Sequence, residues 1–398
     1  MADGFGALEG LRVLDLGQLI QGPQAAQLLA DLGADVIKIE LPDRGDLGRI
    51  PIISREDRRS AFFIACNRGK RGITLDLRVE SGKQVFLRLV DSADVLISNF
   101  VPGTREAWGL DYETLAERNP RLVFATGSTY GPVGPDSTLR GADLSGQAAG
   151  GLIRRTGPTD LRPIGAAIAD HLGSQNMANG ILAALLARER TGRGQRVDVS
   201  LLGAVIFAQA SEYTYTILTG SDPGETDRGH PLLHRIYGIV PTADGHVAIV
   251  DVAPAQREAF FGAIGRPDLT SDPRFRSSYH PLAVRRALFD EMAETFRGHT
   301  TAEWIKRLRA IDVRCAPVRD YLEVLSDEGV FANGYLQRFE DRDGGAQTTV
   351  GCPIRLSETP ARPGRLAPEI GQHTEEVLLE LGLSWDEIVR YKEARAIL

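Results

Sequence analysis

The stretch that decides the fold is "LRVLDLGQLIQGPQAAQLLADLGADVIKIE", residues 11–40. Its first seven residues form a short apolar run that ends at Gly17, as a buried parallel strand does. "PQAAQLLADLGA" (23–34) then carries apolar residues at helical spacing, with Pro23 suited to the first turn and Gly33 to the C-terminal cap. "DVIKIE" (35–40) returns to a strand. Strand, helix and strand at this spacing make a right-handed βαβ unit.

The pattern continues outward. "GITLDL", the helix "ESGKQVFLRLVDSA", "DVLISNF" and "RLVFATGSTYG" repeat the alternation up to residue 131. The expected fold class is therefore α/β, with a Rossmann-like doubly wound parallel sheet in a large domain. "HLGSQNMANGILAALLARERTGRG" (171–194) reads as one helix, and "QRVDVSLLGAVIFAQA" as a strand followed by a helix. The large domain is expected over 1–217, and the Gly-, Pro- and Asp-rich segment 218–232 reads as a linker. A smaller α+β domain follows over 233–330, opened by a hairpin with Asp244 and Gly245 in its turn. Residues 331–398 return to the large domain and end in helical sequence.

Composition narrows the function classes. The chain has 398 residues, a formal net charge of −7 and no basic run, which argues against a nucleic-acid partner. Three dispersed cysteines (Cys66, Cys315, Cys352) show no disulfide or metal-ligand spacing, so no metal is expected and a reducing cytoplasm is the expected location. No secretory leader is recognisable in "MADGFGALEGLRV", and no apolar run is long enough to span a membrane.

The first βα turn, "DLGQLIQGP", keeps only Gly17 and Gly22, and Pro23 removes an amide donor. The G-x-G-x-x-G dinucleotide fingerprint is thus incomplete, which argues against a nicotinamide oxidoreductase. "CNRGKRGITLDLR" gathers Arg68, Lys70, Arg71 and Arg78 around a strand, as a solvated basic face or as an anion site. Asn99 and Phe100 lie in a βα loop, where ligands of doubly wound sheets sit. Asp170, in "PIGAAIADHLGSQ", reads either as a helix N-cap or as a reactive carboxylate that the helix start holds ionised. His171, His230, His234 and His246 have no metal-ligand spacing.

Five segments in order, "LEGLRVLDLGQLIQGPQAAQLLADLGADVIKIE", "NRGKRGITLDL", "ADVLISNFVPG", "GAAIADHLGSQNMANGILAALLARERTGRGQRVDVSLLGA" and "IGQHTEEVLLELGL", resemble the class III CoA-transferases. That family includes formyl-CoA:oxalate and carnitine CoA-transferases and 2-methylacyl-CoA racemase. The resemblance implies CoA transfer from an acyl-CoA thioester to a free carboxylic acid, through covalent intermediates on Asp170, with Asp143 beside it. It implies CoA contacts at Gln18, Leu19, Leu75, Arg78, Asn99, Phe100 and Arg140. Acyl-CoA and a small carboxylic acid would be the substrates, with no permanently bound cofactor, and the chain would form an interlocked homodimer.

Departures from the family pattern are equally specific. The racemase branch carries a histidine before the acid of "RGADLSG", where this chain has Ala142, so the second base of a racemase or epimerase is missing. The first turn reads Ile20-Gln21-Gly22-Pro23, unlike the formyl-CoA enzyme, and residues 215–235 hold no counterpart of its glycine-rich loop, which argues against oxalate as acceptor. Arg228, His234 or Arg235 would be the cations for an acceptor carboxylate. A non-catalytic CoA-binding subunit is the further alternative, and the retained Asp170 and Asp143 argue against it.

Overall fold

A computed structural model describes residues 6–55, 58–156, 160–224, 226, 228–275, 281–340, 346–361 and 366–398. The chain divides into two compact units, one of residues 1–152, 163–208 and 328–398, the other of 153–162 and 209–327. The first unit is built on a six-stranded, all-parallel sheet. Its strands are β1 (Arg12–Asp15), β2 (Asp35–Glu40), β3 (Arg71–Thr74), β4 (Val95–Ser98), β5 (Val123–Ser128) and β6 (Arg196–Ser200), in the spatial order β3-β2-β1-β4-β5-β6. The expected α/β class with a doubly wound sheet is what the chain forms.

Because successive strand residues point to opposite faces, Val13 and Leu14 enter different cores. One face packs Val13, Val36 and Ile97 against Ala26 and Leu29 of the helix Gln21–Asp31 and Met177 and Ile181 of the helix Ile168–Thr191. The other packs Leu14, Ile37, Ile73 and Phe124 against Phe86 and Leu89 of the helix Glu80–Asp91. Val377, Leu378 and Ile388 from the C-terminal sequence join that second core. The tail is two helices, Thr374–Glu380 and Trp385–Glu393, because Gly382 between them adopts φ 79° and ends the first.

Strand order reverses between β1 and β4, so the loops after these strands diverge and leave a crevice at their carboxyl ends.

The second unit has its own antiparallel sheet, Gly238–Pro241, His246–Ile249 and Cys315–Pro317, with the expected hairpin turn at Asp244 and Gly245. Its core centres on Trp304, which stacks on Phe296 at 4.4 Å and donates Nε1–H to the Phe296 carbonyl at 2.7 Å. The helix Ala210–Thr219 and residues 153–162 belong to this unit. Positions 225 and 227 of the sequence read as a linker lie outside the described residues.

Candidate active site

The loop after β1 is fixed from three sides. Asp15 accepts from Gly17 N–H at 2.7 Å, and Asp46 accepts from Leu19 N–H at 2.9 Å and from Gly48 N–H at 2.7 Å. The Asn99 side chain, following β4, clamps Gln18 in both directions: its Oδ1 accepts from Gln18 N–H at 2.7 Å and its Nδ2 donates to the Gln18 carbonyl at 2.9 Å. Gln18 Oε1 in turn accepts from Leu47 N–H at 2.9 Å. These bonds hold Leu19 at φ 63°, a left-handed conformation that a leucine adopts only under constraint.

Beneath this loop lies a buried charge cluster. Lys38 Nζ stands 2.6 Å from Asp46 and 3.7 Å from Asp15, and Lys70 Nζ stands 2.7 Å from Asp15, all four side chains being fully buried. Lys38 also donates to the Gly17 carbonyl, and Lys70 to the Pro23 carbonyl and Asn67, each at 2.7 Å for Lys70. Charges so enclosed are tolerated only with such partners, and here the partners are the groups that shape the loop.

The basic stretch 66–78 is therefore not an anion site as a whole. Arg68 pairs with Asp31 at 2.5 Å and Arg71 with Asp35 at 2.7 Å, so both neutralise neighbouring carboxylates as Lys70 does. Arg78 pairs with Asp76 at 2.7 Å and Asp43 at 3.2 Å, and does not line the cavity described next.

A cavity of about 360 Å³ opens at the switch between β1 and β4. Of the nine sequence-predicted site residues, seven line it, namely Gln18, Leu19, Leu75, Asn99, Phe100, Arg140 and Asp170, while Asp143 and Arg78 do not. Leu75, Leu77, Phe100 and Trp108 give it an apolar wall, with Phe100 and Trp108 in edge-to-face contact at 5.5 Å. Arg44 and Arg140 line it as well, and neither has a polar partner among the described residues. Arg44 carries no signal in the sequence, where "LPDRGD" looks like an ordinary solvated turn.

Asp170 is not the N-cap of its helix. The helix begins at Ile168, the cap position is Ala167, and Asp170 is the third helical residue. The carboxylate that serves the helix start comes from Asp143, at the start of the helix Asp143–Ala149: its Oδ1 accepts from Ala169 N–H at 2.7 Å and from Asp170 N–H at 3.2 Å. Asp143 itself is held by Gln147 Nε2 at 2.6 Å, and Gln147 Oε1 accepts from Ile164 N–H at 3.0 Å. Gln147 is 1% exposed and ties both carboxylate segments together.

This arrangement also overturns the expectation that the helix start holds Asp170 ionised. Burial, with the Asp143 charge adding to it, pushes the Asp170 carboxyl up to about 7. The backbone donors that would have favoured its charge are taken by Asp143. His171 supplies no compensating cation, since its Nδ1 faces Gln24 Oε1 at 2.6 Å and burial pushes the imidazole below its usual range.

The proposed acceptor cations lie in the second unit and are engaged there. Arg228 pairs with Asp290 at 2.5 Å and Arg235 with Asp251 at 3.0 Å, while His234 is pushed down by burial and then by Arg285. His230 stands 2.8 Å from Glu212. Among the described residues, no group of three or more histidine, cysteine or acidic side chains is placed to hold a metal ion, and no helix is long and apolar enough to cross a membrane.

A family model, CoA-transferase family III, matches residues 8–374, and the chain belongs to that family. It is an enzyme of the CoA-transferase class, with CoA thioesters as substrates. The chain is 36% identical to the succinyl-CoA:mesaconate CoA-transferase of Haloarcula hispanica, over 95% of this chain and 97% of that protein. It is 34% identical to the succinate–glutarate CoA-transferase of Agrobacterium fabrum, over 94% of this chain and 95% of that one. Among solved structures, a CAIB/BAIF family protein from Brucella suis superposes with a TM-score of 0.85 at 32% identity, covering 95% of this chain and all of that one.

Proposed function

We propose that this CoA-transferase works through covalent intermediates on Asp170, with the acyl-CoA thioester seated in the cavity at the β1–β4 switch. The observation that carries this reading is the Asp170 carboxylate, half-buried at the cavity wall and pushed up to about 7 by burial and by Asp143, whereas the Glu40 carboxylate at the same wall is taken by Arg49. A carboxylate with a raised pKa is a better nucleophile than a solvated one, and near neutral pH a large fraction is still ionised.

The bond changes then follow. An Asp170 oxygen attacks the thioester carbonyl, the C–S bond breaks, and CoA thiolate leaves behind a mixed anhydride. The thiolate attacks the Asp170 carbonyl of that anhydride, forming an aspartyl-CoA thioester and freeing the donor acid. An acceptor carboxylate attacks this thioester, giving a second anhydride and thiolate. Attack of the thiolate on the acceptor's carbonyl yields the new acyl-CoA and restores the Asp170 carboxylate. No proton is lost or gained over the cycle.

Asp143 acts by position. Its bonds to Ala169 N–H and Asp170 N–H set the helix start, and its charge raises the basicity of Asp170. Arg44 and Arg140 are suited to phosphate groups of CoA, and the wall of Leu75, Phe100 and Trp108 to its apolar and aromatic parts. Ala142 lines the cavity with a methyl group, which supports transfer over racemisation because no second base stands there. The names of the relatives suggest short dicarboxylic acids as the acyl and acceptor groups.

Further parts of the reading are an interlocked homodimer and a cytoplasmic setting. Leu186 and Phe207 of the first unit are 64% and 76% exposed, apolar surface that a second copy would cover. Light scattering should give twice the 43.2 kDa chain mass, and a monomer would remove the dimer from the account. The transfer chemistry itself is tested by incubating acyl-CoA with the enzyme and a panel of mono- and dicarboxylic acids, without ATP, and identifying new CoA thioesters by mass spectrometry. If no acid on the panel accepts CoA, the reading fails.

A further inference from the structure

Gln21 follows the β1 loop as the first residue of the helix Gln21–Asp31 and lines the same cavity as Asp170. It is 3% exposed. Its carboxamide lies between two glycines whose missing side chains make the room. A Cβ on Gly127, in β5, would stand 2.2 Å from Gln21 Oε1, and a Cβ on Gly173 would stand 2.9 Å from Nε2.

Other glutamine heads around the site have partners for their carbonyl oxygens. Gln18 accepts from Leu47, Gln24 accepts from Ser174 at 2.7 Å, and Gln147 bridges Asp143 and Ile164. Gln21 Nε2 is buried and has no hydrogen-bond partner among the described residues. A buried amide left so carries a desolvation penalty that an acceptor oxygen from a ligand would remove.

The position of this donor says which ligand atom it suits. Gly173 is one helical turn beyond Asp170 on the same face, a rise of about 4.5 Å. Helical side chains lean toward the helix start, so the Asp170 carboxylate is displaced from Gly173 by more than that rise. The Gln21 amide, packed at Gly173, is therefore offset along the helix from the Asp170 carboxylate.

We propose that Gln21 determines acyl-group choice: its amide donates to an acceptor oxygen that the acyl chain carries beyond the thioester carbonyl. The inference rests on the reading that acyl-CoA places its thioester at Asp170. A site that buries a donor for such an oxygen rejects hydrocarbon analogues of the same length strongly, because the donor then stays unpaired. The preferred acyl groups are thus oxygen-bearing short chains, carboxylate or hydroxyl, over plain alkyl ones.

The test compares wild type and Gln21→Met, which keeps length but loses the donor, with succinyl-CoA, 3-hydroxybutyryl-CoA and butyryl-CoA as donors and acetate as the common acceptor. Wild type is expected to favour at least one oxygen-bearing donor over butyryl-CoA by tenfold or more in kcat/KM. Gln21→Met is expected to lower kcat/KM for that donor at least tenfold and to change butyryl-CoA less than threefold. The arm that loses most tells carboxylate from hydroxyl. Gln21→Asn, which withdraws the amide by one methylene, should fall between the two, and retained butyryl transfer shows that the variants are folded. Equal losses with all three donors, no loss with any, or a wild type indifferent to the distal oxygen would each overturn the proposal. A wild type that transfers from none of the three while binding CoA would instead strike the transferase reading beneath it.

Discussion

The Asp143 carboxylate accepts the backbone N–H of Asp170 at 3.2 Å, so the two acids are joined through main chain while their charges oppose each other. One acid sets the helix start and raises the pKa of the other, which faces the cavity.

The first prediction concerns pH. Because burial and then Asp143 push Asp170 up to about 7, the reactive carboxylate is lost as pH falls through that value. kcat/KM should rise about tenfold per pH unit below 7 and level off above it. Asp143→Asn removes the repulsion but not the burial, so its rising limb should move to lower pH by part of the shift. A limb unmoved by Asp143→Asn would show that the two carboxylates do not interact.

Stability should run the other way. The folded pKa of Asp170 lies above its unfolded value of 3.8, so its contribution is fully present below 3.8 and is lost as pH rises through about 7. Asp170→Asn stays neutral throughout. Its unfolding free energy at pH 8 should exceed that of wild type by at most roughly 4 kcal/mol, with the gain vanishing near pH 4. Urea unfolding at the two pH values measures it, and a less stable variant at pH 8 would contradict the assignment.

Arg44 and Arg140 line the cavity without polar partners among the described residues. If they meet phosphate groups, Arg44→Ala or Arg140→Ala should raise KM for acyl-CoA about tenfold or more with kcat little changed. The loss should shrink as ionic strength rises and masks the wild-type advantage. Steady-state kinetics at two salt concentrations decide this.

The buried cluster makes a structural prediction. Lys38→Met would leave Asp46 without its 2.6 Å cation in a fully buried site, and should cost about 3–5 kcal/mol of stability. Because Asp46 also anchors Leu19 N–H, activity should fall beyond what the unfolded fraction explains. Loss of stability alone, with full activity in the folded fraction, would separate the cluster from the site.

Much of the fold is legible in the sequence because its strands are buried on both faces and its helices carry one apolar stripe. "DVIKIE" coincides with β2, and "LRVLDLG" contains β1. Of the cavity lining, Asn99 and Phe100 are legible because they sit in a βα loop, whereas Gln18, Leu19, Leu75 and Arg140 enter only through the family resemblance. Asp170 reads as a cap because glycine and alanine before it resemble a loop, whereas Ile168 and Ala169 already belong to the helix. Gln147 and Gln21 escape notice because a glutamine in a helix gives no sign of what its amide will meet. The basic stretch misleads for the converse reason: the acids that neutralise Arg68 and Arg71, Asp31 and Asp35, lie 37 and 36 positions away in sequence.

The central claim is that Asp170 carries the acyl group and then CoA. The most direct measurement is to incubate enzyme with acyl-CoA, quench with hydroxylamine, digest, and read the peptide containing Asp170 by mass spectrometry. A hydroxamate on Asp170, formed only when acyl-CoA is present and at no other carboxylate, is the predicted result. An unmodified Asp170 peptide together with full transfer activity in Asp170→Ala would contradict the account.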